Sequence, residues 1–194
     1  VVAIDFGTSY SGYCFSLASG ADQIRQVYWG IEHGLKTPKT PTSILFNEKQ
    51  EFMYFGYDAV MKYKSLPSSQ AGSWYFFQNF KMQLYNTVGG RSVTADMELK
   101  ASNGKSLPAL MVFSESLRYL KEHALNTIKE ASFQTVYDEE EITWVITVPA
   151  IWSAAAKQFM RLAAKKAGII SHMLAKNLII ALEPEAASLW CKQL

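Results

Sequence analysis

The first quarter of the chain alternates short apolar runs with brief polar breaks, and this pattern predicts strands. Three runs open the sequence and cover residues 1–5, 12–17 and 23–29. Because glycine and polar residues separate them closely, the runs favour an antiparallel meander. Residues 32–43 are rich in Thr, Pro and Lys, and they predict a crossing loop after the third strand.

The middle of the chain changes period often and predicts smaller elements. The elements expected there are a hairpin of residues 42–46 and 52–56, a short helix over 58–63, a loop over 65–73, and one or two strands around residues 103–104. Residues 74–85 are dense in aromatic side chains and mixed in period. This region therefore predicts a small inserted unit more clearly than it predicts each of its elements.

One long helix is predicted by apolar residues that recur every three or four positions. These residues are Leu110, Phe113, Leu117, Leu120, Ala124 and Ile128. They share one face of a helix, which we expect to be buried. Ser106 is the expected N-cap, and Pro108 is expected in the first turn.

After this helix, strands and helices alternate to the end of the chain. A buried strand over 142–148 is stopped by Pro149, and Ser153 can cap the helix that follows. A second buried strand over 177–183 leads to a last helix, which Pro184 opens and which runs to the final residue. The complete order predicts an α/β fold with a mixed sheet that carries helices on its faces.

Composition limits the classes of function. The chain has 194 residues, 49% of them hydrophobic, enough for one core or for two small subdomains that share one. A formal net charge of +2 without a long basic run gives no indication of a nucleic-acid partner. No apolar run reaches the ~18 residues of a membrane span. Two cysteines in apolar surroundings, Cys14 and Cys191, favour a reducing, intracellular compartment.

The stretch after the first predicted strand is the first candidate for chemistry. Asp5 ends the strand, Gly7 and Gly12 bracket a tight turn, and the turn carries the hydroxyls of Thr8, Ser9 and Ser11. Backbone N–H and hydroxyl donors suit phosphate oxygens, and a nearby carboxylate suits Mg²⁺ or its waters. The stretch is not a P-loop, because its lysine is missing and no helix follows. The alternative is an ordinary hairpin whose Asp caps the turn.

Two further charged residues occupy notable positions. Glu183 ends an apolar strand as Asp5 does, and acids at the carboxyl ends of neighbouring strands mark where open α/β sheets bind ligands. The alternative is that Glu183 or Glu185 only favours the start of a helix. Lys81 lies among aromatic residues and, taken in isolation, is expected to extend its ammonium to water.

Histidine and cysteine suggest no further chemistry at this stage. His33, His123 and His172 are scattered, with no cysteine or acid at metal-ligand spacing, so a metal held by imidazole is not expected. Cys14 has no neighbouring base in the sequence and is expected to be a core residue, not a nucleophile.

Six segments occur together in the order and spacing of a known family. They are "AIDFGTSYSGYCF", "TPTSILF", "FGYDA", "FKMQL", "ITVPAIW" followed by "AAKKAG", and "LIIALEPEAASL". In this set the chain resembles, over nearly its whole length, the 70-kDa heat-shock chaperones of the actin, hexokinase and heat-shock ATPase superfamily. The two last segments are most similar to the divergent twelfth branch of that family, the 12A/12B type.

The resemblance implies roles for the residues of the first turn. Asp5 would hold Mg²⁺ through water. The residues that would contact the β- and γ-phosphates, largely through backbone N–H groups, are Gly7, Thr8, Ser9 and Tyr10. The cofactors implied are therefore ATP or ADP with Mg²⁺. Ser9 stands where the commoner chaperones have a second Thr, which is a mild departure.

The resemblance also implies roles for three residues elsewhere in the chain. Lys81 would orient the attacking water and stabilise charge on the γ-phosphate, and Glu183 would assist the metal and the water. Pro149 would relay the nucleotide state to a substrate-binding part. The chain departs from the family where Leu182 replaces an Asn and where Ile151 and Trp152 replace Tyr-Phe. These departures leave the relay open.

The resemblance also implies an architecture. We expect lobe I of an actin-like, ribonuclease H-like ATPase, with an inner subdomain of residues 1–35 and 107–194 and an outer subdomain of residues 36–106. The sequence starts without Met inside a strand pattern and stops inside a helix pattern, so a fragment of a longer protein is expected. A second phosphate loop, an adenosine motif and a peptide-binding domain would lie beyond it. One lobe is not expected to hold ATP tightly.

Three functions stay open from the sequence. The first is a chaperone-like switch that binds ATP and hydrolyses it slowly, and that acts in a stress response. The second is an adaptor that kept the fold and lost turnover, for which the departures at Leu182 and Trp152 leave room. The third is a sugar kinase of the same superfamily. The expected partners are nucleotide, the second lobe of the same protein and client or signalling proteins, in the cytoplasm and also in the nucleus.

Overall fold

The computed structural model of the chain describes residues 1–17, 23–84, 94, 96–132, 138 and 141–191, without the side chains of Leu189 and Trp190. Its strands are β1 (Val2–Phe6), β2 (Tyr10–Phe15), β3 (Arg25–Gln26), β4 (Thr40–Pro41), β5 (Ser43–Phe46), β6 (Phe52–Phe55), β7 (Tyr75–Gln78), β8 (Glu98–Lys100), β9 (Ser106–Pro108), β10 (Trp144–Val148) and β11 (Leu178–Leu182). Its α-helices are α1 (Gly56–Ser65), α2 (Ser68–Ala71), α3 (Ala109–Ala131), α4 (Ala154–Lys166) and α5 (Glu183–Cys191). Within the described ranges, 3₁₀ helices cover Ile31–His33 and Phe80–Leu84.

The main sheet is mixed, as the sequence predicts. Its strand order is β11-β10-β1-β2-β3, and the short β4 pairs with β2 beside β3. Strands β1, β10 and β11 are parallel, whereas β1, β2 and β3 form the expected antiparallel meander. Because parallel strands align their carboxyl ends, the residues that follow β1, β10 and β11 meet at one edge of this sheet.

A smaller sheet has the strand order β6-β5-β7, and β8 and β9 form a separate hairpin. Strand β5 is buried along its whole length and divides its side chains between two clusters. Ile44 and Phe46 join the large core, while Leu45 joins Ala59 and Phe76 in a small cluster beside α1. The alternation of strand side chains therefore lets one strand support both sides of the small sheet.

The two long helices lie against the main sheet and close the core. Helix α3 buries an apolar face that includes all six residues predicted for it except Leu110, which is half-buried. The rings of Phe113 and Phe159 connect α3 to α4 with centroids 5.4 Å apart, and Phe113 also contacts Phe6 of β1 at 5.7 Å. No helix in the described ranges is both long and apolar enough to cross a membrane.

Most predicted elements are confirmed, and the hairpin β5–β6 and the Ser153 cap of α4 are among them. The third strand is shorter than predicted, because only Arg25–Gln26 pair with β2 and Trp29 makes an isolated bridge to Thr37. The expected loops also contain structure, namely β4, α2 and the first 3₁₀ helix. The last helix is described to Cys191, so its predicted end lies outside the described residues.

The prediction that Ser106 caps the long helix is wrong. Ser106 belongs to β9, where it pairs with Lys100, and α3 begins at Ala109 after Pro108. The strand pairing overrides the local capping signal because it satisfies the backbone groups on both strands of the hairpin. The division into two subdomains stays a prediction, and β4 crosses it, since this strand of the range 36–106 pairs with β2.

Gly56 marks the closest approach between β4 and α1. It begins the helix with φ +66°, and a Cβ on it would lie 2.1 Å from Oγ1 of Thr40, the atom that accepts a hydrogen bond from the N–H of Tyr57. Gly104 in the β8–β9 hairpin has a similar φ of +82°, but nothing lies within 4 Å of its Cβ position. The two glycines therefore share the positive φ, but only Gly104 has room for a Cβ atom.

We expect Gly104→Ala to destabilise the chain by about 1 kcal/mol, the cost of alanine at positive φ. Gly56→Ala is expected to cost a further ~1–3 kcal/mol, because the methyl group displaces Thr40. Urea denaturation of both variants measures the difference. Equal losses of stability in the two variants would contradict the tight contact at Thr40.

Candidate functional site

The turn between β1 and β2 is held closed by residues that the sequence places far away. The hydroxyl of Thr42 donates to the carbonyl of Gly7 at 2.8 Å, and the N–H of Thr42 donates to the carbonyl of Ser9 at 2.8 Å. The Ser11 and Thr42 hydroxyls lie 2.7 Å apart in a buried position. A Cβ on Gly7 would lie 2.2 Å from the carbonyl oxygen of Tyr10, so this turn requires glycine there.

Some of the predicted phosphate donors of the turn are already bonded within the protein, and others have no acceptor among the described residues. The hydroxyl of Ser11 is used inside the protein, against Thr42. Among the described residues, none accepts a hydrogen bond from the backbone N–H of Thr8 or Ser9. Tyr10, at the start of β2, is exposed. The turn therefore presents backbone donors at the carboxyl edge of β1, a geometry that suits an anion.

Asp5 lies at the same edge and has two protein partners. Its Oδ1 accepts a 2.8 Å hydrogen bond from the hydroxyl of Thr147 on the neighbouring β10. Its Oδ2 accepts from the ammonium of Lys39, which forms an ion pair with it. Sequence analysis identified Asp5 and missed both partners. A signal for Lys39 existed in Gly12, because glycine inside a strand marks the close approach of another chain segment.

Lys81 is buried, and the expectation that its ammonium reaches water is wrong. The side chain is 2% exposed. Its ammonium donates to Oε1 of Glu183 at 2.7 Å and to the carbonyl of Phe6 at 2.6 Å. It also lies 5.3 Å from the ring centroid of Trp152, one of the residues at which the chain departs from the family pattern. The 3₁₀ helix after β7 therefore turns this lysine towards the main sheet.

Burial is the largest influence on the ammonium of Lys81. It lowers the pKa of Lys81 below its ordinary value, because desolvation disfavours the charged form. The hydrogen bond and charge of Glu183 act in the opposite direction and favour the protonated lysine. The charged form of Lys81 therefore depends largely on Glu183, the acid that contacts its ammonium.

Glu183 lies where β11 ends and α5 begins, with its side chain 38% exposed. It faces a cavity of about 500 Å³ that it shares with Asp5, Thr147 and Lys39. Cys14 also lines the cavity, and burial raises the pKa of its thiol, so it stays protonated. The structure thus brings Asp5 and Glu183 to one concave surface, with Lys81 behind Glu183. Pro149 follows β10, and its carbonyl accepts from the N–H of Trp152 at 3.2 Å.

The contacts of Asp5 do not fit a magnesium ion held by this carboxylate. A hydroxyl hydrogen bonds to one oxygen, and an ammonium already neutralises the other. A divalent cation brought to Asp5 would lie beside the positive charge of Lys39 and be repelled by it. The role of Asp5 in holding magnesium through water therefore stays a prediction, and Lys39 argues against it.

Two of the three histidines, His33 and His123, have partners that their sequence spacing does not reveal. Nε2 of His33 lies 2.7 Å from Oδ1 of Asp58 and 3.7 Å from Oε1 of Glu32, on the rim between the first 3₁₀ helix and α1. This cluster offers three ligand atoms within 4.8 Å of one another. Asp58 comes from 25 positions along the chain, which is why spacing alone did not find it. His123 stacks on Trp29 in the core, where burial lowers its pKa.

Comparison with known proteins finds that the sequence of this chain is similar to heat-shock proteins. No family model matches the chain. Human heat shock 70 kDa protein 12B is 44% identical to it over 196 aligned residues, and the mouse and human heat shock 70 kDa proteins 12A are 43% and 42% identical. Each alignment covers 100% of this chain. The chain spans 28% of the length of these curated relatives.

The pair formed by Lys81 and Glu183 makes an asymmetric prediction about stability. We expect Glu183→Ala to destabilise the chain by about 3 kcal/mol, because it leaves a buried ammonium without its acid. Lys81→Met is expected to cost only about 1–2 kcal/mol, since the freed carboxylate of Glu183 can turn to water. Urea denaturation at neutral pH compares the two variants.

The pH dependence of the stability of Glu183→Ala tests whether the unpaired ammonium of Lys81 causes the loss. Removing Glu183 lowers the pKa of Lys81 in the folded state further below its value in the unfolded state. At a pH between these two pKa values, Lys81 is protonated in the unfolded chain and neutral in the folded chain. The stability of Glu183→Ala should therefore recover as the pH rises through this window towards about pH 10. Equal losses at neutral pH, or no recovery at alkaline pH, would contradict the described pair.

Proposed function

Because the chain belongs to the 12A/12B branch of the heat-shock 70-kDa family, we propose that it is lobe I of an actin-like ATPase and forms half of a nucleotide site. In this proposal residues 1–35 and 107–194 form the inner subdomain, and residues 36–106 form the outer one. The whole protein binds ATP or ADP between two lobes and hydrolyses ATP slowly. Closure of the lobes on ATP changes the protein's conformation, as in a chaperone-like switch.

The observation that supports this proposal most is the position of Lys81. A buried ammonium is expensive, and here it is fixed by the carbonyl at the end of β1 and by Glu183 at the end of β11. Phosphoryl transfer depends on positioning and on charge neutralisation more than on covalent chemistry. A lysine carries three donors, and the described contacts use two of them. Because Lys81 is buried behind Glu183, the third donor would reach a phosphate oxygen or the attacking water only after the side chain of Glu183 moves aside.

The glycine turn contributes the second half of the argument. Backbone N–H groups of Thr8 and Ser9, with those of Gly7 and Tyr10, would bind the β- and γ-phosphates. The fastening of this turn by Thr42 supports the assignment, because donors held rigid before the ligand arrives lose little entropy on binding. Glu183, directly beside Lys81, would accept a proton from the attacking water or orient it.

The adaptor hypothesis also has an observation in its favour. Lys81 and Glu183 neutralise each other, and Lys39 and Asp5 do the same, so each of these four charges is engaged within the protein. Such a site could hold nucleotide without turning it over, with client or signalling proteins bound elsewhere on the surface. Pro149 and its contact with Trp152 would then report nucleotide occupancy instead of hydrolysis.

The experiment measures ATP affinity and ATP turnover in the whole protein and in Lys81→Met. Removal of one charged donor from the transferred phosphate is expected to reduce turnover by about 100-fold or more. ATP affinity should fall less than about tenfold, because the turn still binds the phosphates. Lys49→Met is the matched control, since Lys49 is exposed on the β5–β6 turn and should change neither quantity.

Each result separates the hypotheses. Turnover that depends on Lys81 supports the ATPase. Tight ATP binding without turnover, in the parent and in the variant alike, supports the adaptor. A whole protein that binds no ATP overturns the proposal of a nucleotide site.

A further inference from the structure

Lys39 neutralises the carboxylate of Asp5, as a bound metal ion would. Its ammonium forms an ion pair with Oδ2 of Asp5, and both side chains line the cavity that Glu183 and Thr147 also face. We propose that Lys39 supplies the positive charge at Asp5 in place of a divalent cation, so that nucleotide binding by the whole protein does not require magnesium. This inference rests on the proposed nucleotide site and deepens it.

The backbone around Lys39 is built into the sheet. Strand β4 follows directly and pairs with β2, with Thr40 opposite Ser11 and Pro41 opposite Tyr10. The hydroxyl of Thr37 donates to the carbonyl of Lys39 at 2.8 Å. These contacts fix the origin of the side chain at the edge of the glycine turn. The fold therefore fixes where the side chain of Lys39 starts, while the side chain itself is 45% exposed and is held at Asp5 by the ion pair.

Gly12 lets the stem of Lys39 cross β2. A Cβ on Gly12 would lie 3.3 Å from Cγ of Lys39 and 3.1 Å from the carbonyl oxygen of Pro38. A larger residue at position 12 would therefore be tight against this segment and would require a shift of a few tenths of an ångström in Pro38 or Lys39. Glycine is unfavourable inside a strand, so its presence here is explained by the close passage of this segment.

Charge balance supports the same inference. The site holds the two carboxylates of Asp5 and Glu183 and the two ammonium groups of Lys39 and Lys81, so it is neutral without any ion. If Lys39 were absent, Asp5 would repel a polyphosphate unless a cation bound between them. An ammonium carries three donors, so Lys39 can contact Asp5 and a phosphate oxygen at the same time.

The field of Lys39 reaches across the site. The pKa of Lys81 is lowered mainly by burial, and the nearby charge of Lys39 lowers it further while Asp5 acts in the opposite direction. Lys39 and Asp5 therefore act on the same region as the buried pair. A divalent cation at Asp5 would be repelled by both lysines, which disfavours its binding there.

The test measures ATP binding to the whole protein by calorimetry, once with magnesium and once with a chelator. In the parent protein we expect the two dissociation constants to agree within about threefold, because Lys39 already supplies the charge. In Lys39→Met we expect affinity in chelator to fall by about 30-fold or more, and magnesium to restore most of it. Lys39→Arg keeps the charge and should bind ATP in chelator as the parent does.

A matched control and a folding check accompany these variants. Lys36→Met removes a lysine three positions earlier, whose ammonium lies 4.8 Å from the ring centroid of Tyr28 and not at Asp5, so it should leave both constants unchanged. Thermal melting followed by circular dichroism shows whether each variant folds. The comparison of the parent with and without magnesium needs no variant, so it tests the inference even if Lys39→Met does not fold.

The outcomes separate this inference from the proposal it rests on. A parent that binds ATP only with magnesium overturns the inference and leaves the nucleotide site standing. A Lys39→Met variant that binds equally well in chelator shows that another group supplies the charge, and also overturns it. A parent that binds no ATP under either condition overturns the nucleotide site and the inference together.

Discussion

The buried ammonium of Lys81 joins three parts of the chain through hydrogen bonds. Its own 3₁₀ helix follows the small sheet, its carbonyl partner Phe6 ends β1, and its acid Glu183 begins α5. Apolar packing is non-directional, whereas these two hydrogen bonds require one arrangement of the small sheet against the main one. A buried charge that must be satisfied therefore helps to fix how the inserted unit approaches the carboxyl edge of the parallel strands, together with the contacts of Thr42 at the glycine turn.

The alternation of strands and helices was legible in the sequence because its causes are local. The runs that became β1, β10 and β11 are continuous and apolar, which predicts parallel strands buried on both faces. In the structure β1 and β10 alternate buried with half-buried residues. The prediction of a buried strand is wrong for most of β11, where only Leu178 is buried, because β11 ends the strand order of the described sheet. Asp5 and Glu183 were found from the same apolar runs, since each ends such a run. Ser106 shows where local reasoning fails, because a capping residue was recruited by a hairpin whose other strand lies several residues upstream.

The partners within the site were less accessible, because they depend on tertiary pairing. Lys39 lies in a stretch whose Thr, Pro and Lys content suggests only a loop, and its role follows from the pairing of β4 with β2. Thr42 belongs to the same region, yet it closes a turn 35 positions earlier in the chain. Taken in isolation, Lys81 was expected to reach water, since nothing in its own segment predicts an acid 102 positions away. Only the family resemblance identified it as a site residue. The local pattern thus revealed the acids and not the cations that neutralise them.

The parallel pairing of β1 with β10 has a consequence for folding during translation. Val2 pairs with Trp144, so β1 has one edge without its partner until β10, far along the sequence, has been synthesised. The local hairpins and α3 can form meanwhile, but the central sheet cannot close, and contacts of such long sequence separation form slowly. An open apolar strand edge is a template for aggregation. A chain related to heat-shock proteins therefore has, during its own translation, the kind of exposed segment that chaperones exist to shield.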